Sequence, residues 1–120
     1  MRVRVAHVVL DCTDLARVSA FWSNLLALEV AEQDEEWLDL EPVSPGGAVL
    51  SFQRVPEPKV GKNRVHLDLD VPDALVAGER ARELGASPAS DVNPGARGPW
   101  RVWRDPEGNE FCLISDGSAA

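Results

Sequence analysis

The sequence predicts an α+β fold made of two tandem copies of one strand–helix–three-strand unit. The first observation is an internal repeat, in which His7-Val8-Val9-Leu10-Asp11 returns later as His66-Leu67-Asp68-Leu69-Asp70. The second is that each copy is an alternating run that meets a polar break and then a helical pattern. The third is a set of three short strand-like runs after each helical segment. Together they indicate a duplicated module.

Chain length limits how the two copies are arranged. With 120 residues, of which 44% are hydrophobic, the chain can bury one core but is too short for two ordinary independent domains. We therefore expect a single domain over 1–120, with module 1 at about 1–55 and module 2 at about 63–116. The segment at about 55–62 carries two prolines and a glycine, which suits a linker or a point where the halves exchange between subunits.

Each predicted helix begins at a polar break and carries an apolar stripe. The first helix is expected over about 14 to 26 and the second over about 73 to 84, where Gly85 can end it in the left-handed conformation. The stripe of the first helix comprises Leu15, Val18, Phe21, Trp22 and Leu25. The weaker stripe of the second comprises Ala74, Ala77, Ala81 and Leu84.

The last strand of each module follows a similar turn. Gly47 precedes one strand-like run and Gly108 precedes another, each after an acidic residue and a proline. Matching the two glycines aligns Ser51 with Cys112. These two residues are therefore expected to be equivalent in the two modules.

Strand alternation assigns the polar residues to one face. Successive side chains of a strand point to opposite sides, and the apolar side must meet the helix. The expected helix side includes Ala6, Val8, Leu10, Val65, Leu67, Leu69 and Val71. The opposite side is expected to gather His7, Ser51, Gln53, His66, Glu110 and Cys112. The sequence thus predicts a polar, reactive surface away from both helices.

Composition excludes several classes of function. The formal net charge of -8 repels phosphate backbones, so we expect no nucleic-acid partner. No apolar run approaches the roughly 20 residues of a membrane span, and the start resembles no signal peptide, so a cytoplasmic protein without membrane contact is expected. The two cysteines are too few for a disulfide framework, and Cys12 is expected to be a core residue.

The chain resembles the vicinal-oxygen-chelate superfamily, which includes glyoxalase I, bleomycin-resistance proteins, fosfomycin-modifying enzymes and extradiol dioxygenases. The resemblance covers nearly the whole chain and is closest to the bacterial glyoxalase-like branch. The residues that carry it are His7-Val8-Val9-Leu10-Asp11, Ala20-Phe21-Trp22, Leu25 to Val30, Phe52 to Lys59, Val65 to Leu69 and, most specifically, Asp105-Pro106-Glu107-Gly108-Asn109-Glu110-Phe111. It implies two βαβββ modules whose mixed sheets curl around a cleft, commonly completed in a homodimer.

The resemblance also implies a metal site. Metal-dependent members hold one divalent ion, such as Zn, Ni, Co, Fe or Mn, with residues from the first and last strands of both modules. The first-strand positions fall on His7 and His66, whereas the last-strand positions fall on Ser51 and Cys112. Serine is a poor ligand and a cysteine thiolate binds zinc well, so the set departs from the usual carboxylate or amide ligands. The sequence therefore leaves two alternatives, a protein that binds one divalent ion and a protein that binds none.

Several residues are candidates for the remaining roles. Gln53 and Glu110 lie two positions from Ser51 and Cys112 and are candidate replacement ligands. Two residues span nearly 7 Å along a strand, so either ligand would be displaced from the usual position by that distance. Glu110 is also the candidate general base, with an exposed glutamate as the alternative. The candidate residues of the substrate cleft are Asp68, Trp100, Trp103 and Arg54. His7 and His66 have the alternative of simple hydrogen bonding to neighbours such as Asp68.

Two main functions follow from these residues and the resemblance. One is a divalent-metal-dependent lyase, isomerase or dioxygenase that acts on a substrate with adjacent oxygens. The other is a metal-free small-molecule binder of the bleomycin-resistance type, with tryptophans stacking on the ligand and acids such as Asp68 holding a cationic group. A scaffold domain with an empty cleft is a third hypothesis.

Overall fold

A computed structural model describes residues 1–119. The chain forms two compact units, Met1–Lys59 and Val60–Ala120. The elements of unit 1 are β1 His7–Cys12, α1 Leu15–Leu26, β2 Val30–Gln33, β3 Trp37–Leu40 and β4 Val49–Arg54. The elements of unit 2 are β5 Leu67–Val71, α2 Ala74–Leu84, β6 Ser87–Pro88, β7 Trp100–Arg104 and β8 Glu110–Ser115.

Each unit contains one four-stranded mixed sheet with the same topology. The strand order is β1-β4-β3-β2 in unit 1 and β5-β8-β7-β6 in unit 2. In both sheets the first strand pairs in parallel with the last, and the other pairs are antiparallel. A parallel pair needs a crossover connection, which the helix and the two middle strands supply. The predicted α+β class and the two tandem βαβββ modules are confirmed.

Helix α1 covers the apolar face of the first sheet. Asp14 caps its start, because the carboxylate accepts a hydrogen bond from the Arg17 backbone N–H at 3.0 Å. Val18, Phe21 and Trp22 are buried and form the helix side of the core. The predicted stripe therefore faces the sheet, and its flanking leucines are partly exposed.

Helix α2 has a smaller buried face. Asp73 caps its start by accepting from two backbone N–H groups, and Gly85 ends it with φ 119°, as the sequence predicts. The buried residues of this helix are Ala74, Gly78 and Ala81. Small side chains at these positions let the helix approach the sheet closely.

The first strand of each unit begins later than strand alternation suggested. Ala6 precedes β1 and is exposed, and Val65 precedes β5 with 76% of its surface exposed. Their predicted places under the helices are wrong, because both residues precede the strands and are exposed. His66 lies directly before β5. Within residues 1–119, no helix has the length and apolar character needed to cross a membrane.

Candidate functional site

The sheet of unit 1 has one apolar and one polar face. Leu38 is the register partner of Phe52, and both are buried on the side of α1. Asp39 is the partner of Ser51, one step along, and therefore lies on the opposite face. His7 reaches the same polar face from β1, because its ring contacts the Ser51 hydroxyl.

Four side chains on this polar face form a hydrogen-bonded chain. His7 Nδ1 lies 2.8 Å from Ser51 Oγ, and Ser51 Oγ donates to Asp39 Oδ1 at 2.5 Å. Trp37 Nε1 donates to the same Asp39 oxygen at 2.7 Å. The Trp37 ring also meets the His7 ring edge-on, with centroids 6.2 Å apart. Ser51 is fully buried, whereas 41% of the His7 side chain is exposed.

The equivalent face of unit 2 brings together three candidate metal ligands. Asp68 and Cys112 are register partners on the parallel strands β5 and β8. His66 Nε2 lies 3.2 Å from Asp68 Oδ1. One ligand atom from each of His66, Asp68 and Cys112 lies within 4.8 Å of the other two. An imidazole, a carboxylate and a thiol are three types of group that bind zinc in proteins.

The Cys112 thiol is held in its neutral form. Burial, followed by the charge of Asp68 and a hydrogen bond with it, raises the pKa of Cys112 to about 11, and nearby Lys62 opposes this shift. Cys112 is only 6% exposed. A divalent ion would therefore have to displace the thiol proton to bind sulfur.

Glu110 lies two residues before Cys112 on the same strand face. It is 8% exposed, and Lys62 Nζ donates to its Oε1 at 2.6 Å. The structure thus excludes the alternative of an exposed glutamate. A pocket of ≈ 400 Å³ borders it, and its lining includes Lys62, Ser90, Val102, Arg104 and Glu110.

Two of the predicted site residues of unit 1 lie elsewhere. Gln53 is exposed on the polar face, opposite Trp37 in the register. Arg54 is one step further along the strand, in register with Cys12, and its guanidinium lies 3.8 Å from the Glu36 carboxylate. The structure argues against Arg54 as a cleft residue, because strand alternation turns it to the α1 side.

The two tryptophans of β7 have different environments. Trp100 is partly exposed and shares the strand face of Val102, the register partner of Cys112. Trp103 is 2% exposed under α2, where a Cβ placed on Gly78 would come within 2.6 Å of its ring. The prediction that Trp103 lines the ligand surface is wrong, because it belongs to the core.

Asp39 was not among the sequence-predicted site residues. The run Trp37-Leu38-Asp39-Leu40 does carry a signal in the sequence, since Leu38 and Leu40 alternate with Trp37 and Asp39. Strand alternation applied to β3 would therefore have placed Asp39 on the face of Ser51. Each histidine lies on the polar side of its own unit, and their joint use in one site stays a prediction.

The class defined by this fold and these residues is a tandem βαβββ protein with a histidine at the start of the first strand in unit 1 and directly before the first strand in unit 2. The family model for the glyoxalase-like domain matches residues 7–114. The chain belongs to the glyoxalase-like domain family, and its resemblance to the vicinal-oxygen-chelate superfamily is confirmed. Comparison with curated protein sequences finds no match.

Solved structures show the same fold at low sequence identity. A glyoxalase/bleomycin resistance protein/dioxygenase family enzyme from Burkholderia phytofirmans PsJN is 18% identical, with a TM-score of 0.77 over 92% of this chain and 97% of that one. UcmS2 is 24% identical, with a TM-score of 0.72 over 97% and 100%. The lactoylglutathione lyase from Agrobacterium tumefaciens is 18% identical, with a TM-score of 0.65 over 93% and 92%. Identities this low establish the fold alone.

Proposed function

We propose that the chain is a metal-dependent small-molecule enzyme of the glyoxalase-like type, with a divalent ion held by His66, Asp68 and Cys112. The observation that carries the proposal is the convergence of these three groups on one face of unit 2. A bound divalent ion supplies a Lewis acid that stabilises negative charge developing on adjacent substrate oxygens.

The donor set fits a soft to borderline ion such as zinc. Two nitrogen or oxygen ligands at about 2.1 Å from one zinc ion, at a tetrahedral angle, are roughly 3.4 Å apart. The 3.2 Å between His66 Nε2 and Asp68 Oδ1 is close to that separation. The thiol of Cys112 adds a ligand that favours zinc or cobalt over magnesium or calcium.

Other residues of unit 2 would bind and orient the substrate. The pocket beside Glu110 carries the cationic side chains of Lys62 and Arg104, which would bind an anionic group. Glu110 is buried with Lys62 as its partner, so it would act as a base only after that contact opens. Trp100 would offer an apolar ring on the same sheet face.

Cobalt spectroscopy tests the metal proposal directly. Protein without a histidine tag is cleared of metal with a chelator and titrated with Co²⁺. We expect a thiolate-to-cobalt charge-transfer band at about one equivalent, and its loss in Cys112→Ser. The matched control is Cys12→Ser, because Cys12 is the other buried thiol and bonds to the Gln53 carbonyl. If no band forms and neither zinc, nickel, iron nor manganese is retained, the metal-dependent function is wrong.

A metal-free ligand-binding protein is the second candidate. It is favoured by Ser51, which stands where the resemblance implies a carboxylate or amide ligand and whose hydroxyl is already hydrogen-bonded to His7 and Asp39. Trp37 and Trp100 occupy equivalent register positions and would stack on a planar ligand. Quenching of tryptophan fluorescence by planar cationic drugs, lost in Trp100→Ala, would support it. Unchanged fluorescence across such drugs would count against it.

We also propose a homodimer that works in the cytoplasm, on the basis of the family membership. Light scattering coupled to size exclusion should give about twice the chain mass. A single-chain mass across the concentration range used for the cobalt titration would contradict the dimer.

A further inference from the structure

We infer that Asp39 and Ser51 are positioning residues for His7, which fix the ring proton on Nδ1 and leave Nε2 as the unprotonated nitrogen. The inference goes beyond the proposed function and does not rest on metal binding by unit 2. It gives position 51 a different role from the ligand role that the family resemblance implies.

Counting protons leads to this assignment. A carboxylate only accepts hydrogen bonds and an indole N–H only donates, so Trp37 and Ser51 must both donate to Asp39. A serine hydroxyl has one proton, and Ser51 gives it to Asp39 at 2.5 Å. Only a lone pair of Ser51 then faces His7 Nδ1 at 2.8 Å, so Nδ1 must donate. In the neutral ring the lone pair is on Nε2.

Burial makes the arrangement persistent. Ser51 is fully buried, and only 18% of the Asp39 side chain is exposed, so water has little access to exchange with these bonds. The edge of the Trp37 ring limits rotation of the imidazole. His7 thus has one defined unprotonated nitrogen. Histidines that act as ligands or bases are commonly oriented in this way, by a hydrogen bond from a neighbouring residue to the other ring nitrogen.

His66 gives a matched comparison within the same chain. Its Nε2 lies 3.2 Å from the Asp68 carboxylate, so in metal-free protein the proton should be on Nε2. The chain has only two histidines, and they are therefore expected to hold opposite tautomers.

Nitrogen-15 NMR of the metal-free protein tests the inference. Long-range ¹⁵N–¹H correlation spectra are recorded with a chelator present at about pH 8.5, roughly two units above the ordinary imidazole pKa. We expect a protonated-type shift for His7 Nδ1 and an unprotonated-type shift for His7 Nε2, with the reverse for His66. A His7 proton on Nε2, or averaged shifts at both nitrogens, would overturn the inference.

Variants then separate positioning from packing. Asp39→Val copies the residue that unit 2 has at the equivalent register position, Val102. It leaves the Ser51 proton free to turn to Nδ1, so the His7 proton should move to Nε2 while His66 is unchanged. Asp39→Asn is the conservative control, because an amide oxygen can accept both hydrogen bonds and should preserve the His7 tautomer.

A further variant keeps the test decisive if Asp39→Val does not fold. Ser51→Ala removes the group between the ring and the carboxylate, and the His7 shifts should move toward the mixture seen for free histidine. Unchanged His66 shifts in each variant confirm that unit 2 is intact. A His7 tautomer that stays the same in folded Ser51→Ala or Asp39→Val would show that these residues do not position it.

Discussion

The two units share one topology but place their largest core side chains in opposite layers. In unit 1 the largest core side chain is on the helix, where Trp22 is 1% exposed. In unit 2 the largest core side chain is on the sheet, where Trp103 is 2% exposed and packs against Gly78 of the helix. A core of fixed thickness can be filled from either side, provided that the facing residue is small. The size of the sheet residues therefore limits which residues the facing helix can carry.

The polar faces differ in the same way. Both present histidine and a last-strand residue, but the carboxylate comes from a middle strand in unit 1 and from the first strand in unit 2. Asp39 on β3 contacts Ser51, whereas Asp68 on β5 contacts His66 and is the register partner of Cys112. The first arrangement orients one histidine, and the second gathers three donors. Moving one carboxylate between strands changes what the face can do.

The largest expected effect concerns these two carboxylates. Asp68→Ala should weaken zinc binding by about 100-fold, because even groups that only orient a ligand contribute about 10- to 100-fold. Asp39→Ala should change zinc affinity by less than about threefold, because the ligand cluster of unit 2 does not include it. Competition with a chromophoric chelator measures both affinities. Equal losses in the two variants would remove the distinction between the faces.

The next effect concerns the tryptophan of unit 2. Gly78→Ala would place a Cβ 2.6 Å from the Trp103 ring, and that ring is buried and cannot move aside. Alanine normally stabilises a helix interior relative to glycine, but overpacking here should lower the free energy of unfolding by about 1–3 kcal/mol. Urea denaturation measures the change.

The control for this substitution is in unit 1. Ser19 occupies the position of α1 that corresponds to Gly78, counted from the two N-cap residues, and it is 5% exposed. Ser19→Gly adds no atoms, but it removes the hydrogen bond that Ser19 Oγ donates to the Ala16 carbonyl at 3.2 Å. It should cost about 1–2 kcal/mol, from this lost bond and the lower helix propensity of glycine, without overpacking. A Gly78→Ala variant that is more stable than the parent would show that Trp103 does not limit the approach of α2.

Local chemistry made much of this fold predictable from the sequence. The helix starts at about 14 and 73 and the glycine that ends α2 were predictable, because a helix boundary depends on a few adjacent residues. The equivalence of Ser51 and Cys112 follows from matched turns, and the register agrees, since Val9 pairs with Ser51 as Asp68 pairs with Cys112.

Contacts between strands distant in sequence were harder to predict. In Trp100-Arg101-Val102-Trp103 both strand faces carry a tryptophan, so alternation does not identify the buried one, and Trp103 was misplaced. The hydrogen bond from Ser51 to Asp39 links β4 to β3, and it depends on a register that no local pattern fixes. The ion pair of Lys62 with Glu110 likewise joins the linker region to the last strand.

The helix starts should show a smaller effect in both units. Asp73 accepts from the backbone N–H groups of Leu75 at 2.9 Å and Val76 at 3.4 Å, and Asp14 accepts from that of Arg17 at 3.0 Å. Asp14→Ala and Asp73→Ala should each lower the free energy of unfolding by about 1 kcal/mol. Thermal unfolding followed by circular dichroism compares them. An increase in stability in either variant would contradict the caps.

The helix ends give the smallest expected effect. Ala27 and Gly85 both end their helices in the left-handed region, with φ 55° and φ 119°. Only glycine adopts this region without a steric cost from Cβ, so Ala27→Gly should raise the free energy of unfolding by up to about 1 kcal/mol. Gly85→Ala should lower it by about that amount or more, because φ 119° is further from the conformations that alanine tolerates.

Chemical denaturation of both variants against the parent measures this pair. The two substitutions are informative together because they exchange alanine and glycine between the ends of α1 and α2 while each helix keeps its backbone conformation. Opposite signs would show that unit 1 tolerates a strained end that unit 2 avoids. A loss of stability in Ala27→Gly would mean that the greater freedom of glycine in the unfolded chain outweighs the strain relieved at the end of α1.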